Sequence, residues 1–129
     1  MKNIIFILLA LLLAGCAAGA VDAGYVDIGP DELNAMLENK DFLFVNVHIP
    51  FEGDIPGTDL SIPFDEITDP FYLSQLPTDK STKIVLYCRS GRMSDIAANE
   101  LVALGYTNIL NLDGGMIEWE GQGFEIIGK

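Results

Sequence analysis

The chain has 129 residues, half of them apolar, and its 19 acidic and 7 basic residues give a formal net charge of −12. This length and composition allow one domain with a substantial core. The charge argues against nucleic acid as a partner, because phosphate contacts need clustered lysine and arginine side chains. We expect an acidic, soluble surface that repels small anions at long range.

Residues 1–15 have the pattern of a targeting segment. Lys2 gives a positive start, residues 4–13 are an apolar run that is short for a membrane span, and small residues follow. The end of this run, Leu13-Ala14-Gly15-Cys16, resembles the lipobox of bacterial lipoproteins, in which the cysteine is lipidated and becomes the first residue. The sequence therefore predicts a lipoprotein signal peptide over 1–15, a tether over 16–24 and a folded domain over 25–128.

This interpretation predicts a location in the cell envelope, with the protein anchored to a membrane on its extracytoplasmic side through a lipid on Cys16. Two alternatives stay open. An ordinary signal peptide cut near Ala18 or Ala20 would discard Cys16 and give a secreted or periplasmic soluble protein. An uncleaved N-terminal anchor is the other.

From residue 25 to residue 82 the patterns predict two strands separated by a helix and followed by irregular structure. In chain order these are a strand at 25–28, a helix from Pro30, a strand at 42–47, a loop at 48–63, short helices at 64–67 and 71–76 and a turn at 77–82. Proline suits the first turn of a helix, and Asp31 and Glu32 would lie at its positive end. The apolar run at 42–47 is typical of a strand buried on both faces of a parallel sheet.

The rest of the chain continues the alternation of strand and helix. In chain order the patterns predict a strand at 83–87, a helix with apolar residues at 93, 96, 97, 101 and 104, a strand at 108–112 and a short helix near 116–120. Gly105 is a stop signal for the longer helix. Alternating units of this kind imply an α/β fold of three layers, α/β/α, with a mainly parallel central sheet.

The only two arginines of the chain lie within four residues of one cysteine, in the segment Cys88-Arg89-Ser90-Gly91-Arg92-Met93-Ser94. A neighbouring positive charge raises the thiolate fraction of a cysteine, and the thiolate is the nucleophile. The segment joins a predicted strand to a predicted helix, where amide N–H groups and the helix N-terminus can hold an anion. We interpret Cys88 as a nucleophile; a structural cysteine in an apolar core is the alternative, which the flanking polar residues do not suit.

This segment resembles the active-site loop of single-domain rhodaneses. Residues 96–101, 104–109, 112–116 and 119–124 agree with the C-terminal half of that family in order and spacing, and residues 42–63 resemble its second strand and following loop. The resemblance covers about residues 25–127. It implies a rhodanese-like fold and a sulfurtransferase of the thiosulfate sulfurtransferase type.

The resemblance also implies a mechanism and a set of site residues. Cys88 would take sulfane sulfur from thiosulfate or a persulfide, hold it as a persulfide, and pass it to a thiol or to cyanide. The substrate-binding residues implied are Arg89, Ser90, Gly91, Arg92, Met93 and Ser94. No organic or metal cofactor is implied. A protein persulfide and a thioredoxin-like protein are further candidate partners.

Two segments depart from the family pattern. An Asp-x-Arg is usual where this chain has Asn46-Val47-His48, and Gly-His-Ile-Pro-Gly is here Gly53-Asp54-Ile55-Pro56-Gly57. These changes leave the nucleophile intact and concern the polar network beside the loop, and with it substrate choice and rate. His48, the only histidine, is interpreted either as an assisting base for Cys88 or as a partner in a structural hydrogen bond. With one histidine and no cysteine cluster, we expect no metal site.

Two other functions stay open. A phosphatase or arsenate reductase is one, because some phosphatases share this fold and bind phosphate with Cys-x5-Arg; here the sixth residue after Cys88 is Ser94. A non-catalytic or persulfide-carrying binding module at the cell envelope is the other.

Overall fold

Five parallel strands form one sheet in the computed structural model, which describes residues 24–129. The strands are β1 (Val26–Ile28), β2 (Leu43–Asn46), β3 (Leu60–Ser61), β4 (Ile84–Tyr87) and β5 (Ile109–Leu112), and the helices are α1 (Pro30–Glu38), α2 (Pro70–Leu73), α3 (Arg92–Ala103) and α4 (Gly115–Gly121). The order across the sheet is β1-β5-β4-β2-β3, and every neighbouring pair is parallel. The predicted signal peptide, Cys16 and nearly all of the predicted tether lie outside the described residues.

Strand β4 is the centre of the sheet, and all four of its residues are buried. Its side chains alternate between two cores. Ile84 and Leu86 pack on the face that α3 covers, while Val85 and Tyr87 pack on the face that α1 and α4 cover. A strand buried on both faces must be apolar throughout, which is why its sequence shows no alternation of polar and apolar residues. The predicted three-layer α/β/α architecture is confirmed.

Two predictions in the long connection after β2 are wrong. The segment 48–63 contains a short edge strand, β3, in which Leu60 pairs with Val45. Residues 64–67 form turns instead of a helix, and the amide of Glu66 donates to the carbonyl of Pro63. A two-residue strand has too few positions to show a period of two, and a four-residue apolar and acidic run is too short to nucleate a helix on its own.

The second predicted short helix exists but ends early. Helix α2 begins at Pro70, after Asp69 caps it by accepting a hydrogen bond from the amide of Phe71 at 2.9 Å, and it ends at Leu73. Beyond it, the amides of Gln75 and Leu76 donate to carbonyls three residues back, so the chain continues as tight turns. None of the helices within residues 24–129 has the length and apolarity that crossing a membrane requires.

The parallel arrangement places three connections at one edge of the sheet. The residues that follow β2, β4 and β5 all leave the sheet at the carboxyl ends of their strands. His48 and Cys88 therefore lie on adjacent connections, with Val47 held to the end of β4 by a hydrogen bond from its amide to the carbonyl of Tyr87 at 2.9 Å. Ligands of open α/β sheets bind at this edge.

Candidate active site

Cys88 is the first residue after β4 and is 1% exposed. Its Sγ accepts a hydrogen bond from the amide of Gly91 at 3.0 Å and lies 3.4 Å from Oγ of Ser94. Gly91 is the N-cap of α3 and has a φ of 102°, a conformation that favours glycine. The sulfur thus lies at the positive end of a helix and accepts an amide hydrogen bond that would strengthen if it were ionised.

Helix α4 contacts this loop on the side away from α3 and holds its backbone by hydrogen bonds. The amide of Met116 donates to the carbonyl of Cys88 at 2.9 Å, and the amide of Ile117 donates to the carbonyl of Arg89 at 3.0 Å. Because N–H and C=O point in opposite directions across a trans peptide, the amides of Arg89 and Ser90 point away from α4. The loop carbonyls are therefore kept on the α4 side and two loop amides on the opposite side.

Close contact between α4 and the loop is possible only because Gly115 has no Cβ. Gly115 has a φ of 58°, and a Cβ there would lie 2.6 Å from the carbonyl carbon of Arg89. Real Cβ atoms do not come this close to backbone, so a side chain would push the loop and the helix apart.

The remaining residues of the loop fall into two groups. Gly91 and Ser94 face the sulfur; Ser94 is fully buried, and its Oγ also lies 3.2 Å from the carbonyl of Gly91. Met93 is half-buried and packs against the α3 face of the core, while Ser90 is exposed.

Neither arginine reaches the sulfur. The Arg89 side chain is 57% exposed, and its Nη1 lies 3.3 Å from Oε2 of Glu52. Arg92 is the first residue of α3 and is also exposed. Within residues 24–129, the hydrogen-bond partners of Sγ are a backbone amide and a hydroxyl, with no guanidinium among them. Both guanidinium groups therefore lie outside the set of groups that contact the sulfur.

His48 lies beside the same carboxylate. Its side chain is 8% exposed, and its Nε2 is 3.4 Å from Oε2 of Glu52, a distance that makes an ion pair only when the ring is protonated. In the part of the chain that the structure describes, neither ring nitrogen has a hydrogen-bond partner. The arrangement thus contains neither a Cys88–His48 hydrogen bond nor the alternative structural hydrogen bond through the ring.

The two departures from the family pattern meet in one network. Nδ2 of Asn46 donates to Oδ1 of Asp54 and to the carbonyl of Gly53, both at 2.9 Å. Oδ1 of Asn46 accepts from the amide of His48, which fixes the orientation of the side-chain amide. An aspartate at position 46 would instead face a second carboxylate. The residues at 46 and 54 are therefore a matched donor and acceptor.

Tyr87 joins this network to β4. Its Oη accepts a hydrogen bond from the amide of Ile55 at 3.0 Å and donates to Oδ1 of Asp54 at 3.2 Å. Burial raises the pKa of Tyr87 far above its usual value, so the phenol stays protonated and keeps its role as donor. The side chain of Tyr87, which precedes Cys88, is thus held on the face of the sheet opposite Sγ of Cys88.

A surface cavity of about 400 Å³ lies beside the loop on the α4 side. It is lined by Glu52, Arg89, Met116, Ile117, Glu120 and Lys129. Lys129 pairs with Glu120 at 2.7 Å, so both cations in the lining are paired with acids. Cys88 does not line this cavity, although its neighbour Arg89 does.

Glu52 is the residue at this site that sequence reasoning missed. It is one of 19 acidic residues, in a loop without periodicity, and nothing in its spacing marks it. Its only signal is its place four residues after His48.

A family model described as "Rhodanese-like domain" matches residues 29–122. The chain is 36% identical over 105 residues to a sulfurtransferase of Allochromatium vinosum, which covers 78% of this chain and 94% of that protein. It is 35% identical over 92 residues to a tRNA uridine(34) hydroxylase of Erwinia tasmaniensis, but this covers 68% of this chain and only 26% of that protein.

Solved structures agree with the fold. A rhodanese-like domain protein from Staphylococcus aureus is 33% identical with a TM-score of 0.64, covering 80% of this chain and 99% of that one. A rhodanese-related protein from Thermoplasma volcanium is 25% identical with a TM-score of 0.66, covering 80% and 98%.

Gly115→Ala is expected to lower the free energy of unfolding by about 2–4 kcal/mol, because the new Cβ combines overpacking with an unfavourable positive φ. Gly121→Ala is the matched control: it ends the same helix, and a Cβ there would meet nothing within 4 Å. Urea unfolding followed by the fluorescence of Trp119, the only tryptophan, measures both variants. Equal stability of the two variants would contradict the close approach of α4 to the loop.

Asn46→Asp is expected to destabilise the protein by about 2–3 kcal/mol at neutral pH, since it removes a buried donor and sets two carboxylates against each other. Adding Asp54→Asn should recover at least half of that loss by restoring a donor and an acceptor. A double-mutant cycle of urea unfolding tests the pair. Purely additive effects of the two substitutions would mean that the side chains do not interact.

Proposed function

The chain belongs to the rhodanese-like domain family, and we propose that it is a sulfurtransferase that carries sulfane sulfur as a persulfide on Cys88. The observation that carries the proposal is the hydrogen bond from the amide of Gly91 to Sγ of Cys88 at 3.0 Å, at the N-terminus of α3. A backbone amide donates a hydrogen bond to the sulfur and is not itself titratable. It stabilises Cys88 as an attacking thiolate and equally as the thiolate that leaves when the persulfide is broken.

The proposed reaction has two steps. The Cys88 thiolate attacks the sulfane sulfur of the donor, the Sγ–S bond forms, and the donor's sulfur–sulfur bond breaks to release sulfite from thiosulfate or a thiolate from a persulfide. A thiolate or cyanide then attacks the outer sulfur, and the electron pair of the Sγ–S bond returns to Cys88. The donor and the acceptor react one after the other at the sulfur held on Cys88, which predicts ping-pong kinetics.

The burial of Cys88 limits how donors approach. Because Cys88 is 1% exposed, the reacting sulfur must lie at the end of a narrow group that protrudes from the donor. Thiosulfate and a small or protein-bound persulfide meet this condition, and a thioredoxin-like protein with an exposed thiol is a suitable acceptor.

A phosphatase or arsenate reductase has less support. Enzymes with Cys-x5-Arg surround the oxyanion with a guanidinium, whereas the corresponding residue here is Ser94, a buried neutral hydroxyl. The persulfide-carrier alternative differs from the sulfurtransferase only in the second step, which would need a dedicated partner protein.

Cys88→Ser is expected to reduce sulfur transfer from thiosulfate to cyanide to the uncatalysed background, because a hydroxyl forms no comparable anion at neutral pH. Intact-protein mass spectrometry should show one added sulfur on the wild-type protein after thiosulfate and none on the variant. Unchanged thermal unfolding of the variant serves as the control for folding. Wild-type rates in the variant would exclude the mechanism, and a stable adduct that no small acceptor removes would favour the carrier.

We also propose that the protein is anchored in the cell envelope through a lipid on Cys16. The described chain enters the fold just before Val26, at the amino end of β1, while Cys88 lies at the carboxyl edge of the same parallel sheet. A tether joined at residue 24 would therefore leave the domain on the side opposite the sulfur. The active site would face away from the membrane, where soluble donors and acceptors reach it.

Cys16→Ala is expected to abolish incorporation of labelled fatty acid and to release or misprocess the protein, whereas Cys88→Ala should leave both labelling and membrane association unchanged. Fractionation of cells that express the full chain, with mass spectrometry of the N-terminus, measures this. A soluble, unlabelled wild-type product beginning after residue 18 would establish plain secretion instead.

A further inference from the structure

We propose that Glu52 determines donor specificity by neutralising Arg89 beside Cys88, so that the site favours monoanionic sulfur donors over dianionic ones such as thiosulfate. The inference rests on the proposed sulfurtransferase function and concerns its first step. Nothing in the first step requires Glu52 itself to touch the reacting atoms.

The geometry supports an ion pair at the rim of the loop. Oε2 of Glu52 lies 3.3 Å from Nη1 of Arg89, and Arg89 is the residue directly after Cys88. Both side chains are partly exposed, at 57% for Arg89 and 40% for Glu52, so the pair is in contact with solvent next to the loop. A guanidinium already paired with a carboxylate attracts an approaching anion much less than a free one does.

The backbone that follows Glu52 is held by hydrogen bonds. The next residue, Gly53, is held through its carbonyl by Nδ2 of Asn46 at 2.9 Å. Asp54 forms two backbone hydrogen bonds with Ile127, each of 2.8 Å. Glu52 thus extends from a short anchored segment directly towards Arg89.

Apart from Arg92, the surroundings offer little positive charge to replace that of Arg89. In the lining of the adjacent cavity, Lys129 is paired with Glu120 at 2.7 Å, and the chain as a whole carries a formal charge of −12. Arg92 is the other cation of the loop. Coulomb repulsion scales with the charge of the donor. The logarithm of the reaction rate therefore falls about twice as far for a dianion as for a monoanion.

The test compares thiosulfate with methanethiosulfonate, a monoanion that likewise carries a sulfane sulfur on an oxidised sulfur and that releases methanesulfinate when its sulfur–sulfur bond breaks. The second-order rate of persulfide formation on Cys88 is measured for each donor at low ionic strength. Glu52→Gln should raise the rate with thiosulfate about threefold to tenfold and the rate with methanethiosulfonate about twofold to threefold. The ratio of the two rates should therefore rise, and added salt should reduce the difference.

Three further variants identify the cause. Glu120→Gln removes the same charge from the lining of the same cavity but frees Lys129, which is not adjacent to Cys88, so the ratio should change less than Glu52→Gln changes it. In an Arg89→Ala background, Glu52→Gln should raise the ratio less, because it still removes a repelling charge but frees no guanidinium that could contact the donor. Glu52→Ala should reproduce the effect of Glu52→Gln.

The outcomes separate this inference from the function on which it rests. If the wild type forms the Cys88 persulfide with both donors and neither Glu52 variant raises the rate ratio, the role of Glu52 is wrong and the sulfurtransferase proposal stands. An equal rise in the Arg89→Ala background would also refute it, since general acidity alone would then account for the effect. If neither donor modifies Cys88 in the wild type, the proposed function itself fails.

Discussion

The loop around Cys88 depends on two backbone hydrogen bonds, which the amides of Met116 and Ile117 donate to the carbonyls of Cys88 and Arg89. They use the unsatisfied N–H groups at the start of α4 to hold the loop carbonyls away from the sulfur. The helix is itself held by the core, where Trp119 is buried and its Nε1 donates to the carbonyl of Glu125 at 2.8 Å. The geometry at the sulfur is therefore linked to packing on the opposite face of the sheet.

The polar network beside the loop shows how an exchange of residue types can preserve a contact. Asn46 and Asp54 each differ from the family pattern, and an aspartate at position 46 beside Asp54 would set two carboxylates against each other. Together they place an amide donor 2.9 Å from a carboxylate oxygen, in a segment where Tyr87 also donates to Asp54. This network also holds the backbone directly after Glu52, since Nδ2 of Asn46 donates to the carbonyl of Gly53. The residues that differ from the family pattern therefore change the charges at the site more than they change the backbone geometry around it.

The sequence was sufficient for the elements with a marked apolar pattern. Strands β2 and β4 follow from continuous apolar runs, helices α1 and α3 follow from apolar spacing, and the tight strand-to-helix loop at Cys88 follows from their order. What could not be predicted is formed by contacts without a period: the edge strand β3 depends on pairing with β2, and the turns at 64–67 depend on local i to i+3 bonds. For the site, the loop residues were identifiable by type, but the partner of Arg89 was not. Side-chain pairing across 37 positions, from Glu52 to Arg89, leaves no mark in local spacing.

The structure also gives a reason for stabilising the sulfur with an amide and a hydroxyl. In a chain with 19 acidic residues, an exposed arginine readily meets a carboxylate, as Arg89 meets Glu52. The carboxylate then largely offsets the charge of the arginine before a substrate arrives. The amide of Gly91 carries no net charge, is fixed by the backbone and cannot be titrated or paired by a distant acid. The stabilisation of a thiolate by this amide thus does not depend on the surface charge, while Arg89 at the rim is already paired with a carboxylate.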